Sequence, residues 1–167
     1  GGYAALSGAT FTPDLYHAVI AYVGPSSLVT LMNSFPDYWR PYLGQWFESV
    51  GDPQIAEQKQ DMEKRSPINY VDNIKAPLML IQGANDPRVT QIESDNIAKK
   101  MYQKSLPVKY VLAKDEGHGF SKRANKLASI VATEQFFAEH LGGRVDTNVN
   151  PEILKHLDSL NVDISKL

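Results

Sequence analysis

The chain has 167 residues, enough for one domain with a sizeable core. Its 43% hydrophobic and 22% charged content is that of an ordinary globular protein, and a net charge of −2 gives no electrostatic ground for nucleic acid or an anionic membrane as a partner. No apolar run approaches the ~20 residues of a membrane helix, and the lack of cysteine excludes disulfides, cysteine zinc sites and a cysteine nucleophile from this segment.

Gly2 to about Thr10 is small and apolar and reads as the start of a helix able to pack closely on a sheet, broken at Phe11-Thr12-Pro13-Asp14. His17 to Val23 is a continuous apolar run closed by Gly24-Pro25, the pattern of a parallel strand buried on both faces. Ser26 to Asn73 is rich in aromatics and prolines and reads as short helices and loops. Pro77 to Gly83 is a second buried strand. Thr90-Gln91-Ile92-Glu93 has the spacing of a capping box and opens a helix whose apolar face is Ile97, Met101 and Tyr102. Val108 to Leu112 alternates more and reads as a third strand nearer a sheet edge. Ser121 to Leu141 places Leu127, Ile130, Val131 and Phe137 at helical spacing, stopped by Gly142-Gly143. Beyond it, Asn150-Pro151-Glu152 is a helix start for Ile153, Leu154, Leu157 and Leu160. Helices alternating with strands in this order predict an α/β fold, a parallel sheet with helices on both faces.

Ligands of such sheets bind at the carboxyl ends of the strands. Two chemically able residues fall there: Asp86 in Gly83-Ala84-Asn85-Asp86-Pro87-Arg88-Val89, and His118 in Asp115-Glu116-Gly117-His118-Gly119-Phe120. An acid followed by a histidine is two thirds of a Ser-Asp-His triad in α/β-hydrolase order. A serine hydroxyl is a weak nucleophile at neutral pH; it needs a base within reach and an acid that fixes the base's tautomer. Singly, an Asp before Pro is usually a turn residue and a His usually a packed or surface one; the pairing, order and placement favour chemistry. His17, His140 and His156 lack such settings and read as a strand start, a helix end and a tail residue. The histidines are dispersed, so no metal site is expected.

The opening Gly1-Gly2-Tyr3-Ala4 looks like the back half of a Gly-x-Ser-x-Gly nucleophile elbow. Together with Val23-Gly24-Pro25-Ser26, Ser66-Pro67, Lys75-Ala76-Pro77, the Asp86 loop and the His118 loop, it resembles the C-terminal part of the catalytic domain of prolyl oligopeptidase family serine peptidases, in the acylaminoacyl-peptidase and dipeptidyl-aminopeptidase branch. The resemblance runs from Gly1 to about Gly143. It implies that residues 1–143 are the C-terminal portion of an α/β-hydrolase domain with its N-terminal strands missing, usually preceded by a β-propeller. Residues 144–167 read as a tail with room for a short helix. It implies cofactor-free hydrolysis of short peptides through an acyl-enzyme, with Asp86 as triad acid and His118 as base. A carboxylesterase of the same fold and a non-catalytic interaction fragment are the alternatives.

The nucleophilic serine is expected two residues before Gly1, outside this sequence, with Gly1 and Gly2 as the elbow's remnant. Ser7, Ser26, Ser27 and Ser121 lack an elbow setting and read as helix-packing, turn and cap residues. Loss of a nucleophile costs on the order of 10⁶ in turnover, so the chain alone is expected to be inactive. It is expected to need the rest of the same enzyme as its partner, or else to self-associate through an unpaired strand edge. Tyr38, Trp39, Tyr42, Trp46 and Phe47 crowd into ten residues; Trp39, Phe47 and Val89 are the candidates for a substrate pocket, and Arg88 reads as an ion-pair scaffold.

Overall fold

In the computed structural model, which describes Gly1–Leu167 throughout, strands β1 (Val19–Tyr22), β2 (Leu78–Gly83) and β3 (Val108–Ala113) form one parallel sheet in the order β1-β2-β3. The seven helices are α1 (Gly2–Phe11), α2 (Leu28–Asn33), α3 (Leu43–Ser49), α4 (Ala56–Lys64), α5 (Gln91–Gln103), α6 (Arg123–Leu141) and α7 (Pro151–Leu160). Strand side chains alternate between faces, and each face has its own core. Ala21, Leu80 and Tyr110 pack with Leu6 of α1 and with Ile97 and Met101 of α5. Met79, Ile81 and Val111 pack with Ala128, Ala132 and Phe136 of α6, and with Leu157 and Leu160 of α7. Every residue of β2 is buried, because it alone has a strand on each side and helices on both faces.

Several sequence expectations are corrected here. β1 is shorter than His17–Val23 and only alternately buried: Ile20 and Tyr22 are half-covered, since β1 pairs with β2 alone. Val23 leaves the strand with φ +46°, costly for a β-branched residue. The chain turns there because Gly24 lies against Gly2: a Cβ on Gly2 would meet the Gly24 Cα at 2.4 Å. On α5, Tyr102 is exposed; Ile97, Ala98 and Met101 form the buried stripe. On α6, Ile130 and Phe137 face outward and the buried face is Asn125, Ala128, Ser129, Ala132 and Phe136. Small alanines let this helix approach the sheet, which spacing of the large apolar residues alone does not register.

The capping box is also absent. Thr90 stands at the N-cap of α5, but its buried hydroxyl has no partner. Glu93 turns to α2 instead and accepts from the Ser26 and Ser27 amides at 2.8 and 2.9 Å. Two amides offer a buried carboxylate more than one cap amide would. The segment after Gly143 docks on the domain: α7 forms where expected, capped by Asn150 accepting from Glu152 N–H at 2.8 Å. Val162 N–H then donates to the Tyr110 carbonyl at 2.9 Å, on the free side of β3.

The turns after β2 and β3 touch backbone to backbone. A Cβ on Gly83 would lie 2.2 Å from the Gly117 carbonyl oxygen. Gly83→Ala is therefore expected to destabilise the protein by about 2–3 kcal/mol through overpacking. Gly44→Ala, on an exposed helical site with nothing within 4 Å, should be neutral or stabilising by up to about 1 kcal/mol. Denaturant midpoints of the two variants check this.

Candidate active site

Asp86 follows β2 and His118 follows β3, and the contact at Gly83 brings their turns together at the carboxyl end of the sheet. Asn85 N–H donates to the Glu116 carbonyl at 2.9 Å and Ala84 N–H to the Ala113 carbonyl at 3.0 Å, tying one turn to the other. His118 Nδ1 lies 2.8 Å from Asp86 Oδ2.

The Asp86 side chain is completely buried. Its Oδ1 accepts from the Arg88 and Val89 amides at 2.8 and 3.0 Å; the Gln82 amide stands 3.4 Å from Oδ2. An Asx-type turn and a histidine contact are thus the same carboxylate: one oxygen holds its own loop, the other holds the ring. Because a carboxylate so surrounded only accepts, Nδ1 donates. Neutral His118 then carries its lone pair on Nε2, which has no protein partner. A ring held in this way can take a proton from a hydroxyl placed before it.

Gln82, next to last in β2, is fully buried and satisfied: it donates to the Val89 carbonyl at 2.9 Å and accepts from Ser94 at 3.1 Å. Glu116 is buried too and closes the His118 loop. Its carboxylate accepts from the Ser121 and Lys122 amides at 2.9 and 2.8 Å and from the Asn125 amide at 2.9 Å. Burial works to raise the Glu116 pKa, but these donors outweigh it and hold the group below the ordinary carboxylate value. Tyr22 braces the loop from β1 by accepting from Phe120 N–H at 3.0 Å. Burial pushes its phenol above the ordinary value, so it stays protonated. Sequence reading missed Gln82, Glu116 and Tyr22; a glutamine ending an apolar strand was the one visible signal.

A cavity of about 510 Å³ opens beside His118, floored by Gly1 and Gly2 at the start of α1. Its far wall is aromatic. Trp39 and Trp46 stack with centroids 5.8 Å apart, and Phe35 meets the Trp46 edge at 5.0 Å. Of the pocket candidates, Trp39 and Val89 line this cavity; Phe47 does not, and packs against the small core that includes Met62. Arg88 forms no ion pair. Its guanidinium lies 5.6 Å from the Trp39 ring centre, over the aromatic face, at the cavity edge. The candidate serines are occupied elsewhere: Ser26 donates to the Glu93 carbonyl at 2.8 Å, Ser27 caps α2, and Ser121 donates to Glu116 at 3.0 Å. The Ser7 hydroxyl, in α1, is buried without a partner.

Glu116→Gln should cost about 1.5–3 kcal/mol at neutral pH by losing charge-assisted hydrogen bonds. A carboxyl depressed on folding stabilises fully above its unfolded value of about 4.5 and loses that contribution as pH falls through its lower folded value. The stability gap between wild type and Glu116→Gln is thus expected to narrow below about pH 4.5; denaturant midpoints measured across pH check it.

The sequence pattern of the prolyl oligopeptidase family matches residues 1–144. The chain is 49% identical over 146 residues to dipeptidyl aminopeptidase BIII of Pseudoxanthomonas mexicana, covering 87% of this chain and 21% of that protein. It is 40% identical to dipeptidyl peptidase family member 6 of Caenorhabditis elegans, covering 86% of this chain and 20% of the other. Among solved structures, a Mycobacterium tuberculosis puromycin-hydrolyzing peptidase superposes with a TM-score of 0.77 at 29% identity, over 86% of this chain and 21% of that one. The chain therefore spans about a fifth of the length of the curated relatives it matches.

Proposed function

This chain belongs to the prolyl oligopeptidase family, and on that premise we propose that it supplies the acid and the base of a serine peptidase that cleaves short peptides. The observation that carries the reading is the 2.8 Å contact between His118 Nδ1 and the buried Asp86 carboxylate, with Nε2 left open beside the cavity. The serine hydroxyl belongs two residues ahead of Gly1, on the turn that enters α1. Its oxygen attacks the scissile carbonyl carbon while its proton passes to His118 Nε2. Asp86 holds Nδ1–H and stabilises the imidazolium. Collapse breaks the C–N bond, and the departing amine takes the proton from Nε2, leaving an acyl-enzyme. Water then repeats the sequence and releases the acid. No cofactor takes part.

Trp39 and Val89, with Trp46 beside them, form the apolar pocket for the side chain preceding the scissile bond.

The test uses the full-length enzyme that contains this chain. A fluorophosphonate should label it, and it should hydrolyse aminoacyl anilides. Asp86→Asn is expected to lower kcat about 10⁴-fold and His118→Ala about 10⁶-fold. Activity on short acyl esters with none on anilides would instead mark an esterase. Absence of labelling would leave Asp86 and His118 as relics. Trp39→Ala is expected to lower kcat/KM for apolar anilides about 10–100-fold; a panel of anilides with different side chains measures it.

A further inference from the structure

The family match ends at residue 144, yet the chain beyond it reaches back toward the histidine loop. On α7, His156 Nε2 lies 2.7 Å from Asn125 Oδ1. Asn125 is buried in the first turn of α6, and its NH₂ donates to Glu116 at 2.9 Å and to Asp115 at 3.0 Å. Two carboxylates therefore fix which end of the amide is which. The oxygen must face His156, so His156 Nε2 must donate. Glu116 then links both reacting loops: its carboxylate clasps the Ser121 and Lys122 amides, and its carbonyl holds Asn85 N–H, next to Asp86. An apolar contact runs alongside, because Leu157 and Leu160 share a core with Phe120, two residues beyond His118.

We infer, on the reading of His118 as the base, that the segment 145–167 is a positioning element for His118 and that it acts through the His156–Asn125–Glu116 chain. His156 is a positioning residue: it touches neither the cavity nor His118 and sets the loop that carries the base. Small displacements of a base relative to its hydroxyl cost rate out of proportion to the energy involved. Loss of the His156 donor leaves the buried Asn125 oxygen unpaired and frees the amide to turn away from Glu116.

The experiment compares wild type, His156→Ala and His156→Gln in the full-length enzyme, with kcat and KM for an aminoacyl anilide normalised to sites titrated by a fluorophosphonate. Normalisation removes any misfolded fraction. His156→Ala is expected to lower kcat about tenfold or more at nearly unchanged KM. His156→Gln, which keeps a donor at the position of Nε2, is expected to restore most of it. A kcat per titrated site within about twofold of wild type in His156→Ala, or a loss that the glutamine does not restore, overturns this inference alone. A wild-type enzyme that the probe leaves unlabelled, or that His118→Ala does not impair, overturns the reading of the site as well.

Discussion

Two turns of backbone lie in contact at the carboxyl end of the sheet, and the space between them admits no side chain. A Cβ at Gly83 would stand 2.2 Å from the Gly117 carbonyl oxygen. From that contact follow the Asn85–Glu116 hydrogen bond, the approach of Asp86 to His118 and the opening of the cavity beside them. Adjacent parallel strands place their carboxyl ends about 5 Å apart. Hydrogen-bond reach between side chains on two such ends needs the loops to be closer still and held there, and a residue without a Cβ permits it.

The Asp86 carboxylate shows how the surroundings settle a buried charge. Removing it from water is costly unless donors replace the water. Two backbone amides of its own loop do so on one oxygen; the imidazole and, at longer range, the Gln82 amide do so on the other. These donors are held in place by the fold, and such preorganised polar surroundings stabilise charge best. Glu116 follows the same physics one turn away. Its charge is devoted to closing a loop around His118, and its carbonyl to the neighbouring loop.

The cavity wall depends on more distant constraints. Glu93, on the helix that follows the Asp86 loop, holds the amides that begin α2, and α2 contributes Leu28 and Leu31 to the wall. The Trp39 and Trp46 layer is then stacked against Phe35 and covered at its rim by Arg88. The aromatic wall therefore meets the Asp86 loop directly, through Arg88 over Trp39.

The sequence alone determined the alternation of strands and helices, the two-faced sheet and the placement of Asp86 and His118 after consecutive strands. These follow from runs of apolar residues and from turn chemistry, which are local. It also located the final helix through Asn150 and Pro151, again a local signal. Tertiary structure decided what depends on which surface meets which. The alanine face of α6 packs inward while Ile130 and Phe137 stay out. Glu93 leaves its own helix start for the Ser26 and Ser27 amides that lead into α2. Phe47 packs against the Met62 core while Trp39 lines the cavity, and His156 meets Asn125 across α6 and α7. A periodic pattern reports how often a side chain returns to a face. It carries no record of how closely that face can approach its neighbour, nor of which distant donor will claim a buried acceptor.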